Sequence, residues 1–400
     1  MDTEQTVRTF LDFYRDRGHH VLPGASLVRP PGDPVLFTTS GMHPLTPYLT
    51  GRPHPDGVRL ADVQRCLRTT DLDEVGDPTH LTAFQMLGSW SLGDYGSPRS
   101  VTWARDLLVD GYGIPPGRLH ATVFGGESGH PGEGLGPDIE TEDAWGELGV
   151  PVERLGPDNW WSNGPTGPCG PDSEIFVWTG DGEPAGTPGT DPRWVEIWNH
   201  VSMRYLRHDD GSLHSLPRGS IDTGMGLERL VTILQGRPSV YESDAFDTWR
   251  GVLPGLWGGD EPTRRIVADH LRSAAVLISD GVRPAATGHG YVLRRLVRRV
   301  LTLLWREDRD RTLGDLPPEP VEDSLRHFGL PPQGPPRAPR VRDVLLDEER
   351  RFGSQLDRGR RVLSQRRFSG PLGEEDYAFL HDTHGLPREL VTALRAEQQG

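Results

Sequence analysis

Ile221-Asp-Thr-Gly-Met-Gly-Leu-Glu-Arg229 reads as a strand that runs into a glycine turn and then a helix over Leu227 to Leu234. The two glycines, Gly224 and Gly226, let backbone approach a ligand closely. Arg229 opens the helix, where free N–H groups already favour an anion. Asp222 precedes the turn and is placed to hold an amine. A carboxylate for an ammonium and an arginine for a phosphate, a few residues apart, suit the joining of ATP to an amino acid. The plainer alternative for the same string is a helix-start turn with a surface ion pair.

Working outward, 400 residues suffice for two domains with real cores. Apolar residues make up 34% and charged residues 25%, which predicts a globular, soluble chain. No apolar run approaches membrane-spanning length, so no membrane partner is expected. The polar start, Met1-Asp-Thr-Glu-Gln-Thr6, lacks a signal-peptide pattern. Two cysteines, Cys66 and Cys169, imply no disulfide framework, and the expected location is the cytoplasm.

All 43 basic residues are arginine. No lysine is therefore available as base, nucleophile or phosphate ligand, and every fixed cation at a phosphate must be a guanidinium. Charge is unevenly spread. Residues 261–400 hold 24 arginines against 21 acids, whereas residues 1–260 hold 19 against 37. The acidic first part disfavours extensive contact with nucleic acid, although a local patch suffices to dock a short stem.

An amphipathic helix is predicted from Thr3 to Arg17, with Val7, Phe10, Leu11 and Tyr14 on one face. Strands are predicted at Val35–Thr39, Thr122–Phe124, Glu174–Trp178, Trp194–Trp198 and Val201–Leu206. Gly125–Asp138 and Thr179–Pro192 read as surface loops. This alternation suits an α+β domain on an antiparallel sheet. Beyond about Leu256 the pattern turns helical, with stripes at Ile266–Ile278 and Leu293–Leu304. A Pro-rich connector over Leu316–Pro339, a helix of roughly Val341–Arg367 and a closing segment Tyr377–Ala396 complete the chain.

Further blocks surround the opening string. In order they are Gln64-Arg-Cys-Leu-Arg68, Asp71-Leu-Asp-Glu-Val-Gly76, Phe84-Gln-Met-Leu-Gly88, Gly93-Asp-Tyr95, Gly167-Pro-Cys-Gly-Pro171 with Ser173-Glu-Ile175, Glu196-Ile-Trp-Asn199 and Tyr291-Val-Leu-Arg-Arg295. Together they resemble the amino-terminal half of alanyl-tRNA synthetase, a class II synthetase, from Phe10 to about Val391. The resemblance implies the class II antiparallel sheet flanked by helices over residues 1–255, and an all-helical domain over residues 256–400.

It also implies roles. Arg68 matches the arginine on the α-phosphate and the amino-acid carboxylate, and Arg229 the one on the γ-phosphate of a bent ATP. Phe84 matches the aromatic that stacks on adenine, with Gly226 beside the nucleotide. Asp222 matches the carboxylate for the α-amino group. Trp161, Asn199, Val201 and Gly224 match residues lining the alanine pocket. Glu174 belongs either to an ATP and Mg²⁺ site or to a simple turn into a strand. Asp269-His270 lies on a predicted helix without metal-ligand spacing and reads as structural. Arg294, Arg295, Arg298 and Arg299 form either a solvated helix face or a contact for the acceptor stem of tRNA.

Departures from the family pattern shape the expected acceptor. Asp77-Pro-Thr-His80 replaces an Arg-His pair, and Pro284-Ala-Ala-Thr-Gly-His289 replaces a stretch with a tRNA-reading asparagine. Asn163 stands where a methionine is usual. No zinc-binding HxxxH cluster occurs, and no editing domain is expected within these residues. These changes predict a ligase that forms alanyl-adenylate from alanine and ATP with Mg²⁺ and passes alanine to a small amine-type acceptor or carrier. A minimal alanine–tRNA ligase without proofreading is the alternative, and a catalytically silent binding protein the third reading.

Overall fold

Side chains alternate across a strand, so a sheet covered by helices on one face separates two sets of residues row by row. The computed structural model describes residues 1–30, 32–33, 35–126, 135–330, 337–368, 370–384, 386 and 388–399. Its sheet has nine strands: β1 (His20–Val21), β2 (Arg59–Leu67), β3 (Ala83–Ser91), β4 (Leu119–Phe124), β5 (Val152–Leu155), β6 (Trp160–Ser162), β7 (Gly167–Trp178), β8 (Trp194–Arg207) and β9 (Leu213–Gly226). The order is β1-β2-β3-β9-β8-β7-β4-β5, with β6 paired to β7. Pairing is antiparallel except at the two ends, where β1/β2 and β4/β5 run parallel.

Two neighbouring rows explain how the sheet works. Val63, Leu87, Met225, Trp198, Ile175 and Ala121 stand opposite one another across six strands. Five belong to the apolar cluster that also takes in Phe10 and Tyr14 of the helix Thr3–Arg15, and the partly buried Val63 packs against it. The next row is Asp62, Gly88, Gly224, Asn199, Glu174 and Thr122. It faces the other way and is polar or side-chain-free. A one-residue slip in register would exchange the rows, so apolar burial on the helix side fixes what the other face presents.

The first helix starts on a capping box, in which Asp2 accepts from the Gln5 N–H and the Gln5 side chain accepts from the Asp2 N–H. Residues after Leu256 form helices at Glu261–Ser279, Gly288–Glu307, Pro318–His327, Arg337–Leu363, Glu374–His384 and Arg388–Gln399. Their buried side chains share one apolar cluster with Leu67, Leu72 and Ala83 around β2 and β3. Among the described residues, no helix is long and apolar enough to cross a membrane.

Several expectations are corrected. Val35–Thr39 forms no strand and makes a single bridge, Phe37 to Val28; its polar groups are met irregularly, with Thr38 N donating to Leu27 O. The glycines of 221–229 make no turn: β9 runs straight through them into the helix Leu227–Leu234. A Cβ on Gly224 would lie 2.6 Å from the Met86 sulfur, so that glycine serves close packing. The two strands predicted at 194–198 and 201–206 are one, β8. Inside the predicted Pro-rich connector, Pro318–His327 is helical, because prolines at the first turn fit a helix and Val321, Ser324 and Leu325 lie on one buried face. Residues 331–336 of that connector, and 127–134 of the loop predicted at Gly125–Asp138, lie outside the described residues.

Candidate active site

The polar row borders a cavity of about 270 Å³. Arg68 just after β2, Phe84, Trp161, Glu174, Asn199, Val201, Asp222, Gly224 and Gly226 from β3, β6, β7, β8 and β9, and Arg229 from the helix after β9 all line it. Ser40, Met86, Glu196 and Glu228 also line it, with Thr79 and His80 on the segment before β3. Read from the sequence, none of these six has a part in binding a ligand.

At one end lies Asp222, 5% exposed, whose Oδ1 accepts from Trp90 Nε1 at 2.6 Å. Burial pushes its carboxyl up to about 7, against the lowering effect of the Trp90 bond. A cation is what this carboxylate lacks. Asn199 stands beside it: its Nδ2 donates to Asp172 Oδ2 at 3.2 Å, and its buried Oδ1 has no partner among the described residues. Asp172 is in turn held by Asn159 Nδ2 at 3.0 Å. The amide is thereby oriented with its acceptor oxygen unspent, which suits a ligand N–H. Met86 packs over Gly224, and Trp161 and Val201 belong to one apolar cluster.

The other end is cationic. Arg68 Nε donates to Thr39 O at 3.2 Å, and the guanidinium lies 5.2 Å from the centre of the Phe84 ring. Among the described residues no carboxylate pairs with it. Arg229 Nη1 sits 3.0 Å from Glu196 Oε2 and 3.2 Å from Glu196 O. Glu196 reaches this face through a β-bulge: Ile175 pairs with Trp198 but Phe176 with Glu196, and the skipped residue re-aims the strand. Burial, then the neighbouring Glu196 and Asp172, push the Glu174 carboxyl up to about 9. Glu174 lies in β7, within the strand predicted at Glu174–Trp178; the strand already begins at Gly167, so the turn expected ahead of it is corrected.

Glu228 and Arg229 form no surface pair. Glu228 is 2% exposed and accepts from Arg272 Nη2 at 2.7 Å, His327 Nε2 at 2.9 Å and Gln85 N at 3.0 Å. Burial alone would raise its carboxyl; these donors hold it down at about 2. Two donors come from the helices after Leu256, so Glu228 ties them to the sheet beside Phe84. Asp269 does similar work, accepting from Thr82 N at 2.8 Å, while Thr82 O accepts from Arg68 N at 3.0 Å.

None of Arg294, Arg295, Arg298 and Arg299 lines the cavity. Arg298 bonds Glu348 Oε1 at 2.6 Å and Gln355 Oε1 at 2.7 Å, and Arg299 bonds Leu72 O at 2.6 Å. Arg294 lies 5.5 Å from the Tyr291 ring centre, and Arg295 is exposed. Arg298 and Arg299 are thus engaged in packing, because the helix Arg337–Leu363 brings acceptors to the first and the segment at Leu72 brings one to the second.

The family described as tRNA synthetases class II (A) matches residues 5–400. The alanine–tRNA ligase of Treponema denticola is 46% identical over 73% of this chain and 51% of its own length. That of Rubrobacter xylanophilus is 40% identical over 100% of this chain and 47% of its own length. That of Treponema pallidum is 39% identical over 98% of this chain and 68% of its own length. The chain spans about half the length of the first two and about two thirds of the third. With this match over nearly all of its residues, the chain belongs to the class II tRNA synthetases and, within them, to the family of the alanine–tRNA ligases.

Proposed function

We propose that this chain activates alanine with ATP to alanyl-adenylate and passes the alanyl group to tRNA. The observation that supports it best is the cavity itself, with a buried carboxylate short of a cation at one end and two arginines at the other. In this reading an alanine carboxylate oxygen attacks the α-phosphorus, the bond to the bridging oxygen of the β-phosphate breaks, and pyrophosphate leaves. Asp222 and Asn199 hold the ammonium. Arg68, with no carboxylate paired to it among the described residues, neutralises the two anions that meet. Arg229 exchanges Glu196 for the terminal phosphate, and Phe84 faces adenine. A hydroxyl of the acceptor then attacks the carbonyl carbon, and AMP leaves.

Among the described residues no group of three or more His, Cys, Asp or Glu side chains is arranged to hold a metal ion. Mg²⁺ fits this donor set as an ion carried on the nucleotide phosphates, where it would supply charge neutralisation, with Glu174 as the carboxylate at hand. Trp161 and Val201 limit the side chain. One methylene is worth only ~1–3 kcal/mol of discrimination, so glycine and serine leak through. Residues 1–255 are the catalytic part in this reading, residues 256–400 the part that meets tRNA, and the cytoplasm the place of work.

The acceptor rests on the relatives, whose names say tRNA ligase. A small amine acceptor, expected from the altered loops, finds no support there. One observation leans its way: Arg298 and Arg299 are engaged within the chain. Alanine-dependent pyrophosphate exchange tests the first step, and charging of an alanine tRNA transcript the second. Exchange without charging would shift the assignment to the small acceptor. Absence of exchange with any amino acid would remove the enzymatic reading.

A further inference from the structure

The Arg68 guanidinium is held by a backbone carbonyl, that of Thr39, and Thr39 belongs to no strand or helix. Two supports of the peptide before that carbonyl bear on where Arg68 points: Thr38 O accepts from Leu67 N at 2.9 Å, and the second support meets Thr39 itself. Its N–H donates to His43 Nδ1 at 3.1 Å. A backbone N–H can only donate, so Nδ1 carries the lone pair and the neutral ring carries its proton on Nε2. Nε2 lies 2.8 Å from Asn163 Oδ1 and donates to it. Asn163 is itself fixed by its N–H to Pro168 O at 3.2 Å, in the turn between β6 and β7. His43 is 4% exposed.

We propose that His43 is a positioning residue for Arg68: Asn163 selects the ring tautomer, the ring fixes the Thr39 peptide, and the Thr39 carbonyl aims the guanidinium into the cavity. This gives a use to Asn163, the residue that departs from the family's usual methionine. The inference rests on the adenylate-forming reading above for its kinetic test, but not for its binding test.

Protonation would put a second N–H on His43, facing the Thr39 N–H, and break the relay. Burial, then the nearby Arg29 and Arg68, opposed by the bond to Asn163 and the charge of Asp33, hold the ring pKa below its ordinary value. Arg29 also donates to His43 O at 3.1 Å and pairs with Asp33 at 2.7 Å. The relay is therefore intact at neutral pH and fails on acidification below the ordinary histidine range.

The test compares wild type, His43→Leu and His43→Asn, in which an amide oxygen stands in for Nδ1. ATP affinity is measured by calorimetry and alanine-dependent pyrophosphate exchange by kinetics. H43L should weaken ATP binding and raise the ATP KM about three- to tenfold, the size of one lost neutral hydrogen bond, and raise the alanine KM with it, since Arg68 serves both anions. H43N should stay within about twofold of wild type and lose the acid limb of the ATP-affinity profile. In an Arg68→Ala background, H43L should weaken ATP no further. Equal weakening by H43L with and without Arg68, an alanine KM that stays put, or an acid limb kept in H43N would each overturn the relay and leave His43 a packing residue. Wild-type protein that binds ATP but exchanges no pyrophosphate would instead strike at the adenylate-forming reading alone.

Discussion

Replacing Glu228 by glutamine should cost this protein more stability than any surface charge. The side chain is 2% exposed and gathers donors from Arg272, His327 and the Gln85 backbone. Its carboxyl is held at about 2 against the ordinary 4.5. At ~1.36 kcal/mol per pKa unit, that depression links ionisation to roughly 3 kcal/mol of folding stability. The figure agrees with the ~3–5 kcal/mol typical for stranding one member of a buried ion pair. Here the stranded member is Arg272, itself fully buried. His327 donates as a neutral ring, since burial holds its pKa below the usual value.

The sign follows from the depression. The contribution is complete above about pH 4.5 and disappears as pH falls through about 2, because the unfolded chain takes up its proton first. Urea unfolding of wild type and E228Q, followed by tryptophan fluorescence, should therefore differ by about 3 kcal/mol near neutral pH and converge in acid. Glu228→Leu with Arg272→Met removes both charges and should recover a large part of the loss. A difference below about 0.5 kcal/mol for E228Q at neutral pH would refute the reasoning, as would a gap that widens in acid.

Three further outcomes concern the cavity. Asp222→Asn should raise the alanine KM by about tenfold to a hundredfold or more, the loss of a charged hydrogen bond, and leave the ATP KM nearly unchanged; equal movement of both would place Asp222 elsewhere. Since the free carboxyl is pushed up to about 7, kcat/KM for alanine should fall as pH drops below about 7, and D222N should lack that limb. Glu196→Gln should release Arg229 and lower the ATP KM by up to about fivefold, a small effect because the pair is partly exposed; an increase would mean that Glu196 aims the arginine.

Much of the site was legible because its residues stand in short strings whose chemistry is local to each string. Arg68, Phe84, Asn199, Asp222 and Arg229 were all named from such strings, and the fold gathers them in one cavity. Glu196 was quoted within a string yet given no role, since nothing in Glu196-Ile-Trp-Asn199 reveals the bulge that turns its side chain. Glu228 looked like half of a surface pair, because its donors Arg272 and His327 are far away in sequence. The engagement of Arg298 was hidden for the same reason, as its partners lie on a separate helix.

By itself the sequence determined which chemical groups are present and in what alternating pattern: arginine as the sole fixed cation, and apolar rows that must be covered by helices. The tertiary structure decided which of those groups remain available. Charge compensation and desolvation depend on what a fold brings within a few ångströms, and neighbours in space such as His43 and Asn163, or Glu228 and Arg272, carry no mark of one another in the linear chain.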